Sequence, residues 1–114
     1  MALLDLDHLK KIVGNDNQIL KQILEIFMRN APNDIQALSK AASEGNYDQV
    51  GFYSHKLKSA AGAIGYHAAY EDFKQLEEMA RELEDIQLIS DKVKKMSQDC
   101  AACMVDIERI KSEL

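Results

Sequence analysis

The sequence is poor in residues that turn or cross-link a chain. It has no tryptophan, one proline, five glycines and two cysteines in 114 residues. So little turn material argues against an all-β sandwich, whose many short strands need frequent turns. A chain of this length with 46% apolar residues holds a sizeable core without disulfides or metal.

The chain also lacks long apolar runs and an excess of positive charge. No stretch approaches the roughly 18 apolar residues of a membrane span, and Met1–Leu9 lacks the basic-then-apolar pattern of a secretory signal. Lysine and arginine number 14 against 19 acidic residues, a net charge of −5 that argues against nucleic-acid binding. We expect one domain over residues 1–114, cytoplasmic and not bound to membrane, with reduced cysteines.

Caps and apolar stripes divide the chain into five predicted helices. Short polar side chains are expected to cap helix starts, and glycines to follow helix ends. The first helix is predicted to start at Asp5 and to end before Gly14, and the second to start at Asn15 or Asp16 and to end at Gly45. The third is predicted to start at Asn46, in a capping box with Gln49, and to end at Gly65. The fourth helix is predicted from Ala69, Phe73, Leu76, Ala80 and Leu83, and the fifth, after a loop over 85–90, from Val93, Met96, Cys100, Cys103, Ile107, Ile110 and Leu114.

Four of these helices are long and amphipathic, with short connections. Pro32 interrupts the second, where we expect a kink or a break because proline clashes with the carbonyl of Met28. The pattern predicts an all-α fold: an antiparallel up-and-down four-helix bundle with the short additional N-terminal helix across one end. Function must then come from a site placed on that fold.

The third helix carries an unusual outer face. With Val50 at zero degrees and about 100° per residue, His55 falls near 140°, away from the apolar stripe. Gly51, Gly62 and Ser59 lie on the same side, although each glycine inside a helix costs about 1 kcal/mol relative to alanine. Two interpretations are open: the small residues clear space for a partner to approach His55, or the glycines admit a neighbouring helix.

The segment 54–65, SHKLKSAAGAIG, resembles the signature of histidine-containing phosphotransfer (HPt) domains. In that family the histidine is followed by lysine at three, a small residue at four and glycines at seven and ten. The helical rhythm of residues 16–114 is similar to the family's bundle. The resemblance implies that His55 accepts a phosphoryl group, that Lys58 helps to hold it, and that Gly62 belongs to the surface that docks a receiver domain.

Other positions complete the predicted docking surface. The family commonly has glycine where this chain has Ser59. Its members also tend to place a polar side chain from the next helix near the phosphorylated ring, and Glu77 is the candidate, although a carboxylate would repel a phosphoryl group while favouring a protonated imidazole. Phe52 is expected to contact the partner or to be partly buried. The predicted docking residues are Gly51, Phe52, Ser59, Gly62 and Glu77.

Histidine suits a phosphoryl relay because a neutral imidazole has a nitrogen lone pair for attack on phosphorus. The sequence has no evident carboxylate cluster for Mg²⁺ and no Gly-rich nucleotide loop, so we do not expect phosphorylation from ATP by this chain itself. The resemblance implies a monomeric phosphorelay intermediate, not an enzyme, with no cofactor of its own. Its partners would be receiver domains of response regulators, which supply the aspartyl phosphate and Mg²⁺, and a hybrid histidine kinase.

Two alternative functions remain open at this point. The chain could be the phosphotransfer domain of a chemotaxis-type kinase, phosphorylated by an ATP-binding domain, or a helical adaptor without phosphate chemistry. Whether it is free-standing or part of a hybrid kinase is also open.

Other residues that could carry chemistry have ordinary structural interpretations. Cys100 and Cys103 form a Cys-x-x-Cys, but both lie in the apolar seam of the fifth helix, so we expect buried thiols and neither a redox nor a zinc site. His8 and His67 belong to different predicted elements, which favours solvated side chains over metal ligation. The acidic fourth helix is interpreted as a solvated face.

Overall fold

Five helices and short connections make up residues 4–114, the part of the chain that the computed structural model describes. The helices are α1 Leu6–Val13, α2 Asn17–Ser43, α3 Tyr47–Ala63, α4 His67–Arg81 and α5 Ile86–Glu113. Within this range there is no strand, and no helix is both long and apolar enough to cross a bilayer. The predicted all-α class is confirmed.

The four longer helices form a closed antiparallel ring. Each of α2, α3 and α4 packs on the next helix along the chain, and α5 returns to pack on α2. The molecule is 43 Å long, which is about the length of the 28-residue α5 at 1.5 Å per residue. The short α1 contacts α2, so the predicted four-helix bundle with an extra N-terminal helix is confirmed.

Helix starts follow the predicted caps. Asp5, Asp16 and Asn46 each accept a hydrogen bond from a backbone N–H in the first turn of α1, α2 and α3. The capping box at Asn46 is only half formed. The Asn46 side chain accepts from the Gln49 N–H at 3.1 Å, whereas the Asn46 N–H donates to the carbonyl of Ala41 at 2.9 Å.

The turns between α2 and α3 and between α3 and α4 share one geometry. Gly45 and Gly65 have φ of 66° and 78°, the left-handed region that glycine enters without strain. In the second turn, Tyr66 N–H donates back to the carbonyl of Ala61 at 2.8 Å, which closes the end of α3. Both turns are short, so each pair of helices is antiparallel and in contact.

Three details differ from the sequence predictions. Of the kink or break predicted at Pro32, the break is wrong and the kink stays a prediction: α2 continues through Pro32, which lies on the exposed side of the helix, where water can bond the freed carbonyl. The predicted core position of Leu83 is also wrong. Leu83 follows the end of α4, has φ of 55° and is 67% exposed. The predicted loop over 85–90 is too long, because Asp85 caps α5 directly and Ile89 is already in the core.

Gly65 is predicted to be the most sensitive turn glycine. A Cβ there would lie 2.7 Å from the carbonyl oxygen of Asp5, whereas a Cβ at Gly45, also left-handed, would meet nothing within 4 Å. We expect Gly45→Ala to lower the free energy of unfolding by about 1 kcal/mol through backbone strain. Gly65→Ala should lower the free energy of unfolding by about 1 kcal/mol more than Gly45→Ala does, since it also displaces Asp5, whose N–H donates to the Gly65 carbonyl. Urea denaturation of the two variants would measure this, and equal losses would contradict it.

Candidate functional site

The third helix presents His55 to solvent. Val50, Leu57 and Ala61 are buried in the bundle core, which fixes the rotation of α3 about its axis. His55 lies on another face, and its side chain is 61% exposed. The imidazole is therefore open to a partner, as the helical wheel predicted.

Glu77 of α4 binds two side chains of α3 at once. Its Oε2 lies 2.8 Å from Nδ1 of His55, and its Oε1 accepts from Nζ of Lys58 at 2.7 Å. Burial of Phe73, Leu76 and Ala80 in the core turns Glu77 toward α3. The structure thus brings together the predicted phosphoryl acceptor, the predicted stabilising lysine and the predicted polar neighbour.

The contact with Glu77 determines which ring nitrogen of His55 is free. A carboxylate accepts hydrogen bonds, so the proton of a neutral imidazole is placed on Nδ1, which donates to Oε2. The other nitrogen, Nε2, then holds the lone pair. The same contact holds the ring in one orientation relative to α4. The arrangement suits attack by Nε2 on an electrophile.

Glu77 and Lys58 stabilise each other's charged forms. Burial acts to raise the pKa of Glu77, but hydrogen bonds from Lys58 and His55 outweigh it, and the pKa of Glu77 lies below its usual value. The hydrogen bond to Glu77 in turn raises the pKa of Lys58. The ammonium of Lys58 already has an anionic partner, and neither side chain is a free charge.

The two helical glycines both face α4, but their surroundings differ. A Cβ at Gly62 would lie 3.1 Å from Cδ2 of Tyr70, so that ring occupies the space that the glycine leaves. A Cβ at Gly51 would meet only the Cβ of Ala80 at 3.9 Å. For Gly62, the expectation of cleared ground is wrong, because α3 packs on α4 through a second face that the apolar stripe did not reveal. A Cβ at Gly51 would be in ordinary van der Waals contact with α4 and would displace nothing.

Phe52 and Ser59 lie on the exposed side of α3 near His55. Phe52 is 62% exposed and packs edge-on against Tyr53, with ring centroids 5.0 Å apart. Ser59 is also exposed. The alternative of a partly buried Phe52 is wrong, since most of its surface is open to solvent. The docking roles of Phe52, Ser59, Gly51 and Gly62 remain predictions.

The other two histidines, His8 and His67, contact each other and not His55. The rings of His8 and His67 are edge to face with centroids 4.9 Å apart, and Nε2 of His67 lies 3.3 Å from Oδ2 of Asp5. Sequence reasoning missed this contact because it depends on α1 docking against the turn at Gly65. Within residues 4–114, no group of three or more histidine, cysteine or acidic residues is arranged to hold a metal ion.

The cysteine pair occupies the interior side of α5. Cys103 is buried and Cys100 is partly buried, and both are free thiols. Burial raises the pKa of Cys103 to about 12 and also raises that of Cys100. Neither thiol is activated, which agrees with the predicted structural role.

Alanine at the two helical glycines should separate their roles. Gly51→Ala is expected to raise the free energy of unfolding by about 1 kcal/mol, because it improves helix propensity and meets no close atom. Gly62→Ala is expected to raise the free energy of unfolding clearly less than Gly51→Ala, because the ring of Tyr70 must move. Thermal or urea unfolding of both variants would test this. Equal gains would show that Tyr70 does not restrict position 62.

The ionic contact of Glu77 should make stability depend on pH. The pKa of Glu77 is lower in the folded chain than its usual value near 4.5, so the unfolded chain binds a proton at this carboxylate more readily. The ionised carboxylate therefore adds to the free energy of unfolding at pH values above 4.5. It is lost as the pH falls through the lower, folded pKa. We expect the stability difference between the wild type and Glu77→Gln to shrink between neutral pH and strongly acidic pH. A difference that stays constant over that range would contradict the assignment.

Comparison with known proteins gives one family match. A family model described as Hpt domain matches residues 22–114, which include α3, α4, α5 and most of α2. The helix α1 lies outside the matched range. No curated protein and no solved structure matches the chain.

The matched family fixes the general activity. Hpt domains carry out histidine phosphotransfer in two-component systems, lack catalytic machinery of their own, and work with response-regulator receivers and kinases. The match covers most of the chain, and the bundle presents an exposed histidine on α3. The chain therefore belongs to the Hpt domain family.

Proposed function

We propose that the protein is a phosphorelay intermediate that accepts a phosphoryl group on Nε2 of His55. The donor is the aspartyl phosphate of one receiver domain, and the acceptor is the aspartate of another. The observation that carries this proposal is the exposed imidazole whose Nδ1 is bound by Glu77 at 2.8 Å. That contact leaves Nε2 as the only ring nitrogen with a free lone pair.

The transfer step balances without another reactant. Nε2 attacks phosphorus, the N–P bond forms, the acyl O–P bond breaks, and the receiver's aspartate leaves as a carboxylate. The proton on Nδ1 stays in place, so the phosphorylated ring becomes a cation. The Glu77 carboxylate stabilises that cation through the same hydrogen bond, and the ring returns to its neutral form, still protonated on Nδ1, when the phosphoryl group leaves Nε2.

The partner is expected to supply the rest of the apparatus. Phosphoryl transfer needs in-line positioning and cations at the equatorial oxygens. We propose that receiver-bound Mg²⁺ provides most of that charge and that this protein holds no cofactor. Lys58, beside the acceptor ring through Glu77, is proposed to add positive charge near the phosphoryl group.

We propose that the receiver docks on the exposed side of α3. Phe52 offers an apolar contact and Ser59 a small polar one, on either side of His55 along the helix. Gly51 and, further along the same face, Gly62 complete this proposed docking surface with positions that carry no side chain. Docking there would place the receiver's aspartate opposite Nε2.

The test compares two exposed histidines that each contact a carboxylate. His55 contacts Glu77, and His67, 59% exposed, contacts Asp5. We expect His55→Gln to abolish phosphate uptake from a phosphorylated receiver while the fold remains intact. His67→Gln is expected to be labelled like the wild type. The phosphate should be acid-labile and base-stable, as a phosphoramidate is.

Separate incubations would identify the donor. Labelling by a phosphorylated receiver supports the relay. Labelling only by ATP with a kinase core would favour the chemotaxis-type alternative, and normal labelling of His55→Gln would refute the acceptor. The absence of label from every donor would favour the adaptor alternative.

A further inference from the structure

A groove between α3 and α4 adjoins the Glu77 contact. Its volume is about 390 Å³, and the residues that line it are Tyr47, Asp48, Gly51, Glu77, Ala80, Arg81 and Leu83. Gly51 and Ala80 face each other across it. Arg81 is exposed on its rim, one helical turn after Glu77. The groove gives this side chain room to move toward α3.

The charge of the site changes sharply on phosphorylation. Before transfer, the Glu77 carboxylate is matched by the Lys58 ammonium at 2.7 Å. A phosphoryl group adds about 1.5 to 2 negative charges. If Lys58 turned to the phosphoryl group, Glu77 would lose a partner, and if it stayed, the phosphoryl group would lack one. A second cation resolves this conflict.

Two exposed cations flank Glu77 on α4. Lys74 precedes it by one turn and Arg81 follows it by one turn, and neither forms an ion pair with any residue of the described range 4–114. Residues one turn apart on a helix have Cβ atoms about 5–6 Å apart, so both can reach the surroundings of Glu77. Both oxygens of Glu77 already have partners, so they do not hold either cation.

Arg81 and Lys74 differ in the residues that surround them. Arg81 shares the groove with Gly51, which lies one turn before His55 on α3. Its positive charge is also close enough to Lys58 to lower the pKa of that lysine slightly against the larger effect of Glu77. Lys74 lines no part of this groove. Arginine further suits the task because its planar group binds phosphate oxygens in pairs.

We propose that Arg81 binds the phosphoryl group of phosphorylated His55, while Lys58 remains paired with Glu77. The inference rests on the proposed function, since it requires a phosphoryl group on Nε2. Arg81 is then a phosphoryl-binding residue that is idle in the unphosphorylated chain. The groove beside Gly51 is the space through which its guanidinium moves.

The experiment uses phosphoramidate as a small donor, so that no docking surface is involved. Its P–N bond breaks, a new N–P bond to Nε2 forms, and ammonia leaves. Wild type, Arg81→Ala, Arg81→Lys and Lys74→Ala are phosphorylated and followed by ³¹P NMR over pH. Lys74→Ala is the matched control, because it removes the same charge from the same helix at a similar distance from Glu77.

The acid dissociation constant of the phosphoryl group is the decisive measurement. A bound cation favours the fully ionised phosphoryl group, so Arg81→Ala should lower this constant about threefold, which is typical of an exposed ion pair. Arg81→Lys should restore much of the effect, and Lys74→Ala should leave the constant unchanged. Equal values for Arg81→Ala and Lys74→Ala would overturn the assignment. If the wild type forms phosphohistidine neither with phosphoramidate nor with a phosphorylated receiver, the proposed function fails, and the role of Arg81 fails with it.

Discussion

The Glu77 carboxylate, bound to His55 and Lys58 across the α3–α4 interface, is the interaction on which the site depends. It fixes the ring orientation, assigns the proton to Nδ1 and keeps Lys58 next to the acceptor. A neutral amide in its place would still bond the ring but would not stabilise a phosphorylated imidazole cation as strongly. A carboxylate repels an incoming anion, but under the proposed function it would also stabilise the ring cation that the transfer creates.

The bundle supplies the precision that this contact needs. The side chains of α3 and α4 that face the core lie opposite the bundle's other helices, and the turn at Gly65 sets how the two helices align. Gly51 and Gly62 bring α4 close on the second face of α3. Packing on two faces leaves only the outer side of α3 free, and that side carries His55.

Much of this arrangement was predictable from sequence, because it depends on local rules. Caps at Asp16 and Asn46 and the positive φ of Gly65 follow from residue type, and the exposure of His55 follows from helical spacing. Leu83 could not be placed, because the stripe continued past the point where α4 ends in a left-handed residue. The approach of His67 to Asp5 could not be foreseen either, since it joins elements whose relative position is set only by tertiary packing.

The imidazole of His55 and the carboxylate that orients it lie only 22 positions apart in the chain, within one helical hairpin. Their alignment is therefore a matter of helical phase. Deleting a single residue between Tyr70 and Glu77 would rotate the second half of α4 by about 100° relative to the first, so Leu76 and Ala80 would leave the core together with the contact of Glu77. The packing that holds the bundle together is therefore the same packing that keeps the proton of the His55 ring on Nδ1.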